Sequence, residues 1–400
     1  MGGIGWMGWI KRLRGAFALE GNLPALALSE FISSNGWNMF GVVWQPYVLS
    51  LDANMTILGS LDGLETGLRS GLMLLTGRIS DSVGRRALQV VGYLLSIIAI
   101  TLSIVAGHWT FLIPVALLWA VGDALWEPAH TSMVAESVEE EKRGTAFSLI
   151  SLTWFIPGFY APVLAGYLAE GFGFRPVLAL LLITEVSSLT IFLVFTRETL
   201  ERKRSFTLRS LGSVKRVLRP EFGLSGFYLA TIANRFAMAI GEGIFFGMLM
   251  KTFDFTLFQL GILSNVFSVV VSTSQMPVGK LVDRYGRKRF LVLSSGVRTL
   301  AMGGYLVSGS FPSFLLFYGI FGFGESMWIP AYNAYLSNAV PDEERARFFG
   351  DLSGLMGLIS FPAPILGALL YENWGFRAPI LVSLLLSLLS FVSLTKVEER

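Results

Sequence analysis

Long apolar segments alternate with short polar connectors along almost the whole chain. Each apolar segment is about 20 residues long, which is the length of helix that crosses roughly 30 Å of hydrocarbon. These runs are continuous, so they do not fit the ten-residue alternating strands of a membrane β-barrel. The pattern predicts twelve membrane-spanning helices, numbered here as spans 1 to 12: 23–48, 55–78, 87–106, 110–136, 145–169, 176–196, 222–249, 256–279, 289–308, 312–338, 349–370 and 378–395.

Lysine and arginine fall almost entirely on one side of this predicted membrane. If the N-terminus is cytoplasmic, 25 of the 31 basic residues lie in cytoplasmic segments, three in outer loops (Arg175, Lys251 and Arg377) and three within spans. Positive charge is retained on the cytoplasmic side of membrane proteins. The sequence therefore predicts a multi-pass protein of the cell membrane with both termini in the cytoplasm.

Composition narrows the function classes. The chain is 53% hydrophobic and 15% charged, whereas soluble domains carry about 25% charged residues. It has no cysteine and two histidines, and it shows no nucleophile motif and no phosphate-binding loop. A net charge of +3 gives no reason to expect nucleic acid. We expect no enzyme activity, no cofactor and no metal site.

The longest connector lies between spans 6 and 7 and divides the chain six plus six. It gives an N-terminal bundle at 1–196, a linker at 197–221 and a C-terminal bundle at 222–400. Basic residues alternate with apolar ones in this linker, which suits an amphipathic helix at the cytoplasmic membrane surface. A solvated charged linker is the alternative.

The two halves repeat each other at a constant offset of 202 residues. Because six spans separate equivalent points, the halves have the same orientation, and ligands of such proteins bind between the halves near the midplane. The equivalent positions are Gly77, Asp81, Gly84 and Arg85 with Gly279, Asp283, Gly286 and Arg287, and Gly122, Trp126, Pro128 and Arg143 with Gly324, Trp328, Pro330 and Arg345.

The segment GRISDSVGRR at 77–86, and its copy GKLVDRYGRKR at 279–289, resemble the signature loops of the major facilitator superfamily. The resemblance implies an all-α polytopic membrane protein in which two parallel six-helix bundles surround a central cavity. It also implies a secondary transporter that works by alternating access. We expect a monomer in the lipid bilayer whose partners are a small-molecule substrate and protons.

In that family the aspartate of each loop docks on a helix N-terminus of the other half and closes the cytoplasmic side. Carried over, Asp81 would meet the start of span 11 near residues 349–351, and Asp283 the start of span 5 near residues 144–145. A plain turn and topology signal is the alternative, and Ser82 departs from the family, which often has arginine there, as at Arg284. The predicted cytoplasmic gate comprises Gly77, Asp81, Gly84, Arg85, Arg86, Arg143, Gly279, Asp283, Arg284, Gly286, Arg287 and Arg345.

Eleven charged residues fall inside the predicted spans. At about 2.5–3.5 kcal/mol each they would cost roughly 30 kcal/mol if all faced lipid, so they must pair, bind protons or line a wet cavity. Two of them, Glu185 and Arg298, receive no role from the sequence. The eleven are Glu30, Asp62, Glu65, Asp123, Glu127, Glu185, Glu242, Glu325, Arg69, Arg235 and Arg298.

A rise of about 1.5 Å per residue places four of these charges near the midplane: Glu65, Asp123, Arg235 and Glu325. We hypothesise that Arg235 is balanced by Glu325 and Asp123. Burial favours a neutral carboxylate and a nearby arginine favours a charged one, so a movement that separates them would load or release a proton. A permanent salt bridge between helices is the alternative. The candidates for proton coupling are Asp123, Glu325, Glu127, Glu65 and Glu242.

Other polar residues are candidates for local pairs or for contacts with a substrate. Arg69 follows Glu65 at i,i+4, the spacing of a local ion pair, and Glu30 lies at a similar depth as another partner. Asp123, Glu127 and His130 share a helix face, which favours either a proton relay or a simply hydrogen-bonded histidine. Aromatic rings beside excess carboxylates suit a cation, although tryptophans also pack without a ligand. The cavity candidates are Asn35, Trp37, Asn38, Arg69, Trp126, His130, Arg235 and Trp328.

The direction of transport has a weaker signal. Residues 161–166, Ala-Pro-Val-Leu-Ala-Gly, resemble a degenerate form of a motif of drug/proton antiporters. We therefore predict proton-coupled export of a small amphipathic or cationic compound. Uptake of a metabolite or organic anion with Arg235 as counter-ion is one alternative, and a membrane sensor without transport activity is another.

Overall fold

A computed structural model describes residues 20–200, 224–340 and 342–398, without the side chains of 77–78, 342–347 and 349–351. The linker predicted at 197–221 lies outside these residues from 201 onward. The described residues are almost entirely helical. Their membrane helices are Leu23–Ser50 (span 1), Met55–Val83 (span 2), Arg85–Val105 (span 3), Leu112–Glu136 (span 4), Arg143–Gly158 and Ala161–Phe172 (span 5), Phe174–Phe195 (span 6), Ser225–Gly241 and Phe245–Phe253 (span 7), Leu257–Tyr285 (span 8), Arg287–Val307 (span 9), Phe311–Ala339 (span 10), Asp342–Ser360 and Pro362–Trp374 (span 11) and Arg377–Thr395 (span 12).

Ten helical segments in the described ranges are long and apolar enough to cross a membrane. Spans 1 and 2 have comparable lengths, 28 and 29 residues, but are less apolar than the ten. Span 2, for instance, carries the three charged residues Asp62, Glu65 and Arg69. With these two added, the ten segments become the twelve spans that the hydrophobic pattern predicts. The charged groups of span 2 must therefore face protein or water and not lipid.

Spans 5, 7 and 11 are broken near their middles. Pro162 and Pro364 lie in the first turns of the second helices of spans 5 and 11, at equivalent positions of the repeat. A break frees backbone groups that must find partners inside a membrane. At the break in span 7, the Gln45 amide donates to the Gly243 carbonyl oxygen at 2.9 Å and accepts from the Gly247 N–H at 2.9 Å. One polar side chain of span 1 therefore provides hydrogen-bond partners for the backbone groups freed by a break in the other half.

The halves meet at the end of the molecule away from the first and last described residues, 20 and 398. This end is here called the distal end, and the opposite end the proximal end. The Thr56 N–H and hydroxyl donate to the Glu372 carboxylate at 3.1 and 2.6 Å, and the Phe258 N–H donates to Glu170 at 2.9 Å. Gly261 lies against span 5 so closely that a Cβ there would stand 2.5 Å from the Pro162 carbonyl oxygen. Glycine at 261 thus permits backbone contact between spans 5 and 8, which seals the distal end.

The proximal ends of spans 5 and 8 are not joined in this way. Among the described residues, no hydrogen bond or ion pair links the first helix of span 5, Arg143–Gly158, to the other half until Asn265 reaches the Gly158 carbonyl oxygen at 3.4 Å. Spans 2 and 11 remain in contact further along, where a Cβ on Gly354 would lie 2.5 Å from Leu74 Cδ2. The halves therefore diverge toward the proximal end on one side only.

Candidate functional site

A cavity of about 580 Å³ lies between the two halves and is here called the central cavity. Its wall is formed by spans 1, 2 and 4 of the N-terminal half and by spans 7 and 11 of the C-terminal half. One side carries the rings of Trp37, Phe40, Trp44 and Trp119, whose centroids lie 5.1–5.8 Å apart in edge and tilted contacts. The charged lining residues are Asp62, Glu65, Arg69, Asp123, Arg235 and Glu242.

Arg69 links two of these carboxylates. Its Nε lies 3.2 Å from Glu65 Oε1, which confirms the predicted i,i+4 pair, and a terminal nitrogen lies 4.0 Å from Asp123 Oδ2. The Asp123 side chain is 41% exposed, so its only arginine contact in the described residues is long and accessible to water. Asp62 is held differently, since Trp44 Nε1 donates to it at 2.8 Å.

The predicted pairing of Arg235 with Glu325 and Asp123 is wrong. Glu325 instead lies 2.9 Å from Arg298 of the neighbouring span 9, and the Arg298 side chain is 2% exposed. Gly324 makes room for this contact, because a Cβ there would lie 2.5 Å from Arg298 Cγ. Arg235 is exposed on the wall of the central cavity, with no carboxylate within 4.0 Å in the described part of the chain.

A second cavity of about 310 Å³ lies within the N-terminal half and is here called the N-half pocket. Glu185, which received no role in the sequence analysis, is 2% exposed and lines this pocket. It accepts hydrogen bonds from the Ser33 hydroxyl and from Trp37 Nε1, the latter at 2.8 Å. Trp37, Arg69 and Asp123 also line the central cavity, so the two spaces are adjacent. The remaining lining residues are Glu30, Ser34, Gly92, Tyr93, Ser96, Trp126, Glu127 and Trp154.

His130 is buried behind this pocket and does not continue a relay from Asp123 and Glu127. Its Nε2 lies 2.8 Å from Glu30 Oε2, and its Nδ1 lies 3.3 Å from Gln89 Oε1. Glu30 thus pairs with His130 rather than with Arg69. The His130 ring stacks on Trp126, with the centroids 4.3 Å apart and the planes at 11°. Glu127 is exposed at the pocket wall.

Besides His130, three predicted cavity residues face elsewhere. Asn35 accepts from the Tyr160 hydroxyl, and the Asn38 amide donates to the Trp154 carbonyl oxygen at 3.3 Å. Both therefore form hydrogen bonds near the break in span 5, and neither lines either cavity. Trp328 is 8% exposed and lies beneath Arg298, whose guanidinium carbon is 4.3 Å from the ring centroid. The sequence predicted these side chains on a cavity wall, and the structure places them on other faces of their helices.

The first copy of the signature loop is held within the N-terminal half. Arg85 lies 2.7 Å from Asp81 and 3.1 Å from Glu136, and the backbone N–H groups of Arg85 and Arg86 donate to the Glu198 carboxylate at 3.0 and 3.1 Å. Such a carboxylate at a helix N-terminus is favourable. Gly84 has φ +127°, as its equivalent Gly286 has φ +100°, and glycine tolerates this turn without strain.

The second copy does not dock in this structure. Asp283 is exposed and has no ion pair among the described residues, because span 5 is separated from span 8 at the proximal end. Arg284 lies over the Tyr285 ring at 5.3 Å, and Arg143 stays near its own connector, 3.7 Å from Glu140. The side chains of residues 349–351 and of Arg345 lie outside the described part of the chain, and the contact of Asp81 with the start of span 11 stays a prediction.

Comparison with known proteins gives one consistent result. A family model described as Major Facilitator Superfamily matches residues 26–241 and 227–400. "Multidrug resistance protein MdtG" of Dickeya zeae is 27% identical over 316 residues, which cover 77% of this chain and 76% of that protein. The protein of the same name from Escherichia coli is 24% identical over 315 residues, which cover the same shares.

Solved structures share the fold at low sequence identity. A D-xylose-proton symporter superposes with a TM-score of 0.75 at 14% identity, covering 94% of this chain and 96% of its own. The human organic anion transporter MFSD10 superposes with a TM-score of 0.70 at 16% identity, covering 93% of this chain and 98% of its own. At these identities the likeness shows the fold alone.

Proposed function

Because the chain belongs to the major facilitator superfamily and is a secondary transporter, we propose that it exports a small cationic or amphipathic compound in exchange for protons. The observation that carries this proposal is the charge of the central cavity. Four carboxylates line it, Asp62, Glu65, Asp123 and Glu242, against two arginines, Arg69 and Arg235. An excess of acidic groups beside aromatic rings attracts a cation, and the same groups can bind a proton when the cation leaves.

Asp123 is the best placed of these carboxylates for the exchange. It is the one carboxylate among the described residues that lines both cavities, and its contact with Arg69 is 4.0 Å long. A carboxylate that binds either a proton or a cation, but not both, couples the two movements without a further device. The multidrug resistance proteins to which the chain is similar support export as the direction.

We place the proximal end in the cytoplasm, as the distribution of basic residues favours, with the transporter acting as a monomer. The structure then corresponds to the inward-facing form, sealed on the outside by the contacts of Glu372 and Glu170. In the outward-facing form the proximal ends would close, and Asp283 would reach the start of span 5. Each form must remain reachable for alternating access, so this contact can be worth only a few kcal/mol.

A second candidate, uptake of an organic anion, is favoured by one observation. Arg235 lies on the wall of the central cavity and has no carboxylate within 4.0 Å in the described ranges. An arginine can hold a carboxylate of a solute through two parallel hydrogen bonds. The excess of acidic lining groups argues against an anion, and the two candidates predict opposite results with charged probes.

Proteoliposomes distinguish the two candidates. With an imposed pH gradient, we expect the planar cation ethidium to accumulate on the acidic side, and a one-unit gradient supports accumulation of up to about tenfold per proton exchanged. Collapse of the gradient with nigericin should release it, and liposomes without protein serve as the control. If ethidium does not move but the anion p-aminohippurate moves with the gradient, the proposal of cation export is wrong and the second candidate, transport of an anion, takes its place.

The gate makes a separate prediction. Asp283→Asn should favour the inward-facing form by about two- to fivefold, the value of a carboxylate at an exposed helix N-terminus. Since the chain has no cysteine, Ala239→Cys on the wall of the central cavity gives a clean reporter, and its labelling by an impermeant maleimide from the proximal side should accelerate. Asp254→Asn, an exposed aspartate at the distal end, is the matched control. An unchanged rate for Asp283→Asn would remove the gate role of this residue.

A further inference from the structure

The C-terminal half contains a buried arginine that lies on a tryptophan ring. The guanidinium carbon of Arg298 is 4.3 Å from the Trp328 ring centroid, and its Nη1 is 2.9 Å from Glu325. Trp328 also stacks on Tyr332, with the centroids 5.7 Å apart and the planes at 24°. A carboxylate, an aromatic ring and a stacked neighbour therefore hold one planar cation inside this half.

The N-terminal half repeats this frame at the offset of 202 residues. Asp123 takes the place of Glu325, Trp126 that of Trp328, and His130 that of Tyr332. The stack is preserved, since Trp126 and His130 lie 4.3 Å apart at 11°. The carboxylate and the stacked ring are conservatively replaced, whereas the cation is missing, because the position equivalent to Arg298 is Ser96. The N-terminal half thus has the frame of a guanidinium site without an arginine of its own.

The room for a cation is present as the N-half pocket. Ser96, Asp123 and Trp126 all line this space of about 310 Å³, which is at the small end of the range of about 300–1,000 Å³ for ligand pockets. Ser96 is 7% exposed, and its hydroxyl oxygen is buried with no hydrogen-bond partner in the described part of the chain. Buried polar atoms without partners are uncommon, and this oxygen can accept a hydrogen bond from the N–H group of a ligand.

The charge of the N-half pocket selects the kind of ligand. Carboxylates line it at Glu30, Asp123, Glu127 and Glu185, and Arg69 is the one arginine in its lining. Glu30 is paired with His130, whereas Glu185 receives hydrogen bonds only from the neutral donors Ser33 and Trp37. A guanidinium suits this wall better than an ammonium, because it is planar, stacks on aromatic rings and pairs with a carboxylate through two hydrogen bonds.

We propose that the N-half pocket binds a guanidinium or amidinium group of the transported compound, stacked on Trp126 and paired with Asp123, in the pose that Arg298 holds over Trp328. The inference rests on the proposed function, since it names the chemical class of the solute. Access is through the central cavity, with which the pocket shares Asp123 and Arg69.

The test measures binding by calorimetry to the purified full-length protein in detergent, without any gradient. The probes are benzylguanidinium and its neutral isostere benzylurea. We expect the first to bind and the second not to bind. Ser96→Arg rebuilds in the N-terminal half the arrangement of the C-terminal half. Its tethered arginine should occupy the site at an effective concentration of about 1 mM, the order of magnitude for a short linker. Binding of benzylguanidinium should therefore be abolished. Ser96→Ala, which leaves the pocket open but removes one hydrogen-bond acceptor, should still bind benzylguanidinium, weakened by about fivefold.

A second pair of variants keeps the test valid if Ser96→Arg does not fold. Trp126→Leu should weaken binding of benzylguanidinium by about tenfold, whereas Trp374→Leu, which removes an exposed tryptophan of the distal end, should leave it unchanged. Equal binding of benzylguanidinium and benzylurea, no binding of either, or undiminished binding to folded Ser96→Arg or Trp126→Leu would overturn the proposal.

The binding and flux measurements fail independently. If cation binding behaves as expected but no pH gradient drives flux, the proposed exchange with protons is wrong and the guanidinium site stands. If ethidium flux is driven by the gradient but Ser96→Arg and Trp126→Leu bind benzylguanidinium as the parent does, the transporter stands and the site is wrong.

Discussion

Replacing Glu325 by glutamine should destabilise the protein by about 3–5 kcal/mol, the usual effect of removing one partner of a buried ion pair. Arg298 is 2% exposed, and Glu325, 2.9 Å away, is its one carboxylate contact in the described residues. Two further nitrogens of Arg298, Nε and Nη2, have no hydrogen-bond partner there. The substitution keeps a neutral acceptor for Nη1 but removes the counter-charge, so the guanidinium charge is left buried without a carboxylate beside it. Thermal unfolding of the purified protein in detergent measures the loss.

Two further variants separate this explanation from a general sensitivity of the site. Adding Arg298→Met to Glu325→Gln removes the orphaned charge and should recover most of the stability, since a buried pair is often replaceable by apolar groups. Asp123→Asn, the equivalent change in the other half, should cost no more than about 1 kcal/mol, because Asp123 is 41% exposed and its contact with Arg69 is long. If Glu325→Gln unfolds at the temperature of the parent protein, Arg298 has another counter-charge and this account is wrong.

The sequence allowed the spans and the repeat to be predicted, because both depend on position along the chain. An apolar run of about 20 residues has one stable solution in a bilayer, and the fixed offset of 202 residues needs no structure to be seen. The same offset carries a further signal. It places Arg298 opposite Ser96, and this loss of a cation from an otherwise similar frame marks the N-half pocket.

The ion-pair partners could not be predicted in the same way. Residue spacing gives the depth of Arg235 and Glu325 in the membrane, but not the rotation of each helix about its axis. In the structure that rotation turns Glu325 toward span 9, where the missing side chain of Gly324 admits Arg298. The docking of Asp283 depends in addition on which end of the molecule is closed, and one sequence must encode both forms.

Asp123→Asn should abolish the accumulation of ethidium that a pH gradient drives, while exchange of ethidium across the membrane without a gradient continues. Asparagine has nearly the shape of a protonated aspartate but cannot release a proton, so the movement of the two halves persists without its coupling. Under a one-unit gradient, accumulation of up to about tenfold per proton should fall to the level reached without a gradient. The measurement is ethidium uptake in proteoliposomes, with and without nigericin.

The choice of Asp123 depends on where the two cavities join. Glu65 is 3.2 Å from Arg69, and Asp62 is bonded to Trp44, so each already has a close partner in the protein. Asp123 lines both spaces and has a partner only at 4.0 Å, which leaves it available to a proton from one side or a cation from the other.

Asp52→Asn, at an exposed position of the distal end where asparagine tolerates the positive φ of 61°, is the matched control and should accumulate ethidium as the parent does. Undiminished gradient-driven accumulation by Asp123→Asn would move the exchange to another acidic residue of the wall, and Glu242, at the break of span 7, would then be the first to replace.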